Sequence, residues 1–279
     1  MLSGGRLHLH HGPIDLIVEV FGPGRKAAYK RAVERFEFLL ETLVGDASAL
    51  RRPRVGVDEV VDPVAKRMVL ATAPFAPTFI TPMAAVAGAV ADEMLGVIRK
   101  DPRIVKAYVN NGGDVALHLS KGECLNAAVA GVKAARITLK PEMNIGGIAT
   151  SGWGGRSHSL GIADSVTVLA RTAAAADAAA TLIANAVDLP DHRDIRRRAA
   201  VELSPDSDLG ERRVTVAVPL LSKEERDTAL QRGVTCARSY VERSLIGAAF
   251  IVLQGECREI SKPDLNDTTL PVFKETIDA

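Results

Sequence analysis

The segment Gly147–Leu189, GIATSGWGGRSHSLGIADSVTVLARTAAAADAAATLIANAVDL, reads as turn, strand and helix in succession. Gly152, Gly154 and Gly155, with Ser151 and Ser157, make a flexible polar loop. Ser165–Ala170 (SVTVLA) is short, β-branched and apolar, which predicts a buried strand. Thr172 follows as an N-cap, because its hydroxyl can accept from a first-turn N–H. The next stretch is almost all alanine, interrupted by Asp177 and Thr181. These two lie one helical turn apart on one face. A surface of bare methyl groups lets backbone or a ligand come close, and the two side-chain oxygens suit a hard cation. A plain packing helix with Asp177 on its wet side is the competing reading of the same spacing.

Working outward, Val105–Leu119 (VKAYVNNGGDVALHL) predicts strand, tight turn, strand, since Asn110 to Asp114 supplies residues that accept positive φ. Such a turn can aim N–H groups at an anion, although Asn-Gly favours a simple hairpin. Pro82 suits the first turn of a helix that runs to about Arg99. Gly88 inside that helix costs about 1 kcal/mol against alanine, which points to close approach by another backbone or a ligand. Lys26–Val44 has one helical period, with Tyr29, Val33, Phe36, Leu40 and Leu43 on the buried stripe. Another helix starts near Val64 and stops before Pro74. Arg6–Val20 reads as two short strands around His11-Gly12-Pro13. Alternation sets His8 and His10 on one face and His11 on the other, so exposed or hydrogen-bonded strand histidines are favoured over a metal site.

Towards the C-terminus, Arg213–Val218 predicts a strand. Ser222–Ser244 predicts a helix with a capping box at Ser222 and Glu225. Ile246–Gln254 predicts a closing core strand, and the tail after Lys262 reads as loose. Asp206-Ser207-Asp208 with Gly210 reads as an Asx-turn, because a calcium loop needs further oxygen ligands. Ala127–Leu139 stays open between a weak strand and a short helix.

The chain has 279 residues, 47% hydrophobic and 25% charged, with a net charge of +1. Length allows a sizeable core, and the near-neutral balance gives no global case for nucleic acid or an anionic membrane as partner. The three cysteines are isolated, which fits a reduced, cytoplasmic compartment. The N-terminal MLSGGRLHLHHG has no apolar core of a signal peptide, so none is expected. Met83–Ile98 carries Asp92 and Glu93 and is too short to span a bilayer. No G-x-G-x-x-G follows a strand, and no Walker lysine loop, H-E-x-x-H or nucleophile elbow is present.

Six pieces in order resemble the ApbE family of flavin transferases, and more closely a group of archaeal and bacterial proteins related to it. Ala87–Asp92 (AGAVAD) stands where the family has K-G-Y-A-V-D. Val109–Val115 (VNNGGDV) is similar to its strand and Gly-Gly turn, and Ile148–Gly152 (IATSG) to its T-S-G segment. Ser157-His158 with Gly161 resembles a shortened form of its S-H loop, without the D-P of that loop. Ser165–Val168 (SVTV) and Ala176–Thr181 (ADAAAT) resemble its S-V-T-V and A-D-A-L-A-T elements. The resemblance is strongest over 81–187. It implies an α+β protein with the ApbE-like fold: one domain over 1–279, with mixed β-sheets flanked by helices in two intertwined halves.

The resemblance also implies a site. That family binds FAD with Mg²⁺ at the pyrophosphate. Carried over, the metal ligands are Asp177, Thr181 and the backbone carbonyl of Ala84. The cofactor-binding set is Thr81, Gly112, Gly113, Asp114, Thr150, Ser151 and Gly152, and His158 is the catalytic histidine. Thr81 stands where the family has an aspartate that touches the flavin, and Ala89 where it has a tyrosine. The implied partners are a small nucleotide cofactor and a protein acceptor. Two alternatives keep the fold: an enzyme of cofactor biosynthesis for a pterin-like one-carbon carrier, and a non-catalytic cofactor-binding or assembly protein.

Overall fold

Strands β1 (Leu7–His11) and β2 (Ile14–Phe21) form an antiparallel hairpin around Gly12, as the alternation of Leu7 and Leu9 with histidines demands. His8 on this hairpin is hydrogen-bonded to Asp15 at 2.6 Å. The computed structural model describes residues 1–132 and 135–265.

Helices α1 (Arg25–Phe36), α2 (Leu39–Gly45), α3 (Ala47–Leu50), α4 (Pro63–Thr72) and α5 (Val86–Ile98) follow. The single helix expected over Lys26–Val44 is thus two, divided at Glu37-Phe38. The expected stripe also moves: Ala28, Ala32, Phe36, Leu39 and Leu43 are buried, whereas Val33 is 38% exposed. The physical reason is the crossing of α1 against α5, where alanine methyl groups let the two backbones come close. Helix α4 starts as its sequence directs: Asp62 accepts from Val64 N at 2.7 Å and Ala65 N at 3.3 Å, with Pro63 in the first turn.

Next come β3 (Lys106–Asn111), β4 (Asp114–Leu119), β5 (Leu125–Ala128), β6 (Arg136–Leu139), β7 (Gly147–Ser151), β8 (Ser165–Ala170) and helix α6 (Ala173–Ala186). The C-terminal part holds β9 (Arg196–Ala199), α7 (Ala200–Leu203), β10 (Arg213–Ala217), α8 (Lys223–Glu242), β11 (Ala248–Leu253) and β12 (Glu256–Ser261). Ser222 and Glu225 make the predicted capping box of α8.

Eight strands form one sheet in the order β1-β2-β3-β4-β7-β8-β11-β12, and each of these pairings is antiparallel. The two halves of the chain meet where β4 pairs β7, with Val115 opposite Ile148 and Ala116 opposite Gly147. Helix α5 of the first half packs on α6 of the second. The fold is α+β, a large sheet flanked by helices.

Both faces of the sheet are covered, which explains why β8 and β11 are buried along their whole length. On the helix side, Val166, Val168, Ala149 and Ile251 join the larger core. On the other side, Ile148, Leu169 and Phe250 pack with Ile137 and Leu139 of the β5–β6 hairpin. The stretch Ala127–Leu139 therefore contributes strand and hairpin, with residues 133–134 outside the described ones.

Ile246–Gln254 does not close the chain. Strand β12 follows β11 across a turn at Gln254-Gly255 and makes the sheet edge. Its polar alternation suits an edge, where one flank of the strand stays wet. Beyond Lys262, Pro263–Leu265 is a helical turn, and Leu265 is 2% exposed in the second core beside Ile145 and Phe250. That anchor corrects the loose reading for this stretch; residues 266–279 lie outside the described ones. Among the described residues no helix is long and apolar enough to cross a membrane.

Candidate functional site

The site is built on a reciprocal contact between α5 and α6. Thr172 caps α6, accepting from Ala175 N at 3.2 Å. Asp92 of α5 reaches the same terminus and accepts from Ala173 N at 3.0 Å and Ala174 N at 2.9 Å. A carboxylate is favoured there by the orphan amides and the helix dipole. Gly88 makes this approach possible: a Cβ on it would overlap the carbonyl of Ala173. The close approach expected at Gly88 is thus by backbone. In return, Asp177 of α6 accepts from Gly88 N at 3.0 Å, in the first turn of α5.

Asp177 also opens onto a cleft of about 810 Å³. Three expected residues reach this cleft from the β3–β4 turn: Gly112, Gly113 and Asp114. Thr150, Ser151 and Gly152 line it from β7 and the loop after it. Thr181 lines it beside Asp177 from α6. Sequence-distant segments therefore converge because β4 pairs β7 and α6 packs against both. Asp114 accepts from Thr150 N at 3.1 Å, tying the turn to the T-S-G segment, and Thr150 Oγ1 lies 2.9 Å from Thr167 Oγ1. Gly113 N donates to Asn110 Oδ1 at 2.8 Å, so this amide serves the hairpin turn.

Two carboxyl groups in one buried cleft repel each other when charged. Burial pushes the Asp114 carboxyl up to about 7, against the pull of the Thr150 amide and the Arg156 guanidinium. Asp177 is held well above the usual carboxylate range, first by burial and then by the charge of Asp114. The Gly88 and Ala87 amides act in the opposite direction.

Other expected residues stand elsewhere. Thr81 is buried at 2% exposure and donates its hydroxyl to Asp208, which lies on the 206–210 turn. Ala84 sits in the helical turn Pro82–Ala85, which packs on α6, but it does not line the cleft. His158 is exposed and outside the cleft lining, although its neighbour Ser157 is within it.

Several lining residues were not singled out from the sequence. Trp153 donates its indole N–H to Asp164 at 3.2 Å, and Asp164 also accepts from Gln254 N at 2.5 Å. Arg156 reaches in from the same glycine-rich loop, and Ala128, Ala130 and Gly131 come from beside the β5–β6 hairpin. A loop without periodicity gives no orientation signal; the only available hint was the placement of the chain's one tryptophan there.

Among the described residues, no group of three or more His, Cys, Asp or Glu side chains is arranged to hold a metal. The donor chemistry nevertheless fits a hard cation. Asp177 and Thr181 present a carboxyl and a hydroxyl oxygen to one cleft with Asp114, and a cation there would take the place of the protons that burial and mutual repulsion hold on the two carboxyls.

A large antiparallel sheet with helices on one face and a cleft where its two halves join defines an ApbE-type fold. Residues 1–259 match the model of the family described as AbpE bacteria, and the chain belongs to that family. It is 40% identical over 124 residues to a UPF0280 protein of Methanopyrus kandleri, covering 44% of this chain and 48% of that one. The chain spans about half the length of the curated relatives it matches. Its fold is similar to the crystal structure of the ApbE protein from Thermotoga maritima, with TM-score 0.52 and 12% identity over 95% of this chain and 99% of that chain. The flavin transferase ApbE from Vibrio cholerae aligns with TM-score 0.48 and 12% identity over 94% and 98%.

Proposed function

We propose that this chain binds FAD, or a related phosphate-bearing cofactor, in the cleft with Mg²⁺, and that it acts as a flavin transferase. The observation that carries the reading is the meeting of Asp177 and Thr181 with the Thr150–Gly152 segment and the β3–β4 turn in one cleft. Family membership and the shared fold support it. Asp177 and Thr181, with the Ala84 carbonyl, are the residues to hold the ion. Mg²⁺ bound there supplies neutralisation of the charge that develops on a diphosphate during FMN transfer.

The chain's own residues have distinct parts in this reading. Thr150, Ser151 and Gly152 form the wall against the flavin, and the Asp114 bond to Thr150 N keeps that wall in register with the turn. His158 takes the proton of the acceptor hydroxyl. One domain over 1–279 carries the activity, and the protein works in the cytoplasm.

The test is calorimetric titration of FAD into the purified protein with and without MgCl₂. Binding should need the metal, and Asp177→Ala should weaken it by roughly tenfold or more. Binding that ignores both metal and substitution overturns the site. Incubation with FAD, Mg²⁺ and a threonine-bearing acceptor peptide should then give AMP and flavinylated peptide. The exposure of His158 outside the cleft lining favours a second reading, a non-catalytic cofactor-binding protein. Metal-dependent FAD binding with neither product would support that reading instead.

A further inference from the structure

Arg156 is the one cation lining the cleft among the described residues, beside the carboxyl groups of Asp114, Asp164 and Asp177. Asp164 is already engaged with Trp153 and Gln254. Asp177 is engaged with the start of α5. Arg156 stands outside the ion pairs of the described residues: the charges of Asp114 and Arg156 attract, but among the described residues no carboxylate pairs with it. Its guanidinium rests on the β3–β4 turn instead. Gly112 has φ +64° and no side chain, and a Cβ on it would overlap the guanidinium. Arg156 therefore bridges from the glycine-rich loop to the turn at the wall of the cleft, and among the described residues no hydrogen bond or ion pair engages its guanidinium.

A guanidinium is a planar fork of N–H donors that matches two oxygens of one phosphate. It is also the fixed positive charge that an anion would meet beside the carboxyls of Asp114 and Asp177. We propose that Arg156 is the phosphate-recognising residue of this cleft, selecting nucleotides and dinucleotides over their phosphate-free counterparts. Gly112 is the companion residue, because its missing side chain leaves the guanidinium its seat. This rests on the cleft being the ligand site, as in the function proposed above, and it adds the residue that sets ligand class.

The experiment uses the full chain with FAD, ADP and riboflavin as three separate probes, each titrated by calorimetry with MgCl₂ present. Arg156→Ala should weaken FAD and ADP by about tenfold or more, the scale of a lost bidentate charge-assisted pair, and leave riboflavin within about twofold. Arg156→Lys should recover part of the loss, since it restores charge without the fork. Gly112→Ala should weaken the same two probes by displacing the guanidinium. Its thermal melt is measured alongside, because alanine at positive φ adds strain. Arg156→Ala that binds FAD and ADP like the parent overturns the proposal, as does an equal loss of all three probes. Arg156-dependent ADP binding without any FAD binding sinks the flavin reading and keeps this one. Mg²⁺-dependent FAD binding that is indifferent to Arg156 does the reverse.

Discussion

Asp114 at the tip of the β3–β4 hairpin and Asp177 on α6 share one cleft, and the charge of Asp114 raises the proton affinity of Asp177. Burial is the larger cause at Asp177 and the one that raises Asp114. The sign of the consequence follows by linkage. Asp114 holds its proton up to about 7 in the folded chain, against 3.8 ordinarily. The folded state therefore binds more protons than the unfolded state across that window. The resulting stability is complete below the unfolded value and is lost as pH rises through about 7. Urea unfolding without metal should show the parent losing stability from pH 5 to pH 8 relative to Asp114→Asn. Parallel pH profiles for the two proteins would refute the raised proton affinity of Asp114. Because a cation needs the ionised carboxylates, MgCl₂ should stabilise the parent more at pH 8 than at pH 5.

Gly88→Ala separates local propensity from packing. Helix propensity alone predicts a gain of about 1 kcal/mol. The contact with the Ala173 carbonyl predicts the opposite, a loss of about 1–3 kcal/mol from overpacking. Denaturant unfolding should give a net loss, and a stabilised variant would mean that α5 and α6 lie further apart.

Asp92 is the second half of that helix pair. Removing its carboxylate strips acceptors from Ala173 N and Ala174 N. Asp92→Ala should cost about 1–3 kcal/mol by denaturant unfolding. Asp92→Asn keeps one acceptor oxygen and should cost less. Equal costs would argue that the amides find other partners.

Trp153 is the only tryptophan of the chain and it lines the cleft. Its fluorescence should therefore change when FAD or ADP binds, and the change should saturate with the calorimetric affinity. A ligand that binds by calorimetry but leaves the emission of Trp153 untouched occupies a different place.

The chain's own order of residues determined the elements whose signal is local. The buried strand Ser165–Ala170, the Thr172 cap, the alanine helix and the Ser222–Glu225 capping box each follow from spacing over a few residues. The Gly-Gly hairpin was legible because positive φ restricts residue choice. The buried stripe of Lys26–Val44 was not, because α5 chooses which face of α1 is buried. Strand β12 was missed because an edge strand needs no apolar alternation.

The site shows the same divide. Spacing placed Asp177 and Thr181 on one face, but only the tertiary structure brought Asp114 and Arg156 to them, through the β4–β7 pairing and the loop after β7. It also turned Thr81 towards Asp208 and left His158 on the surface. Local rules act through backbone geometry within a turn or two. Which loops share a cleft depends on strand pairing across dozens of residues, where no short-range periodicity records the partner.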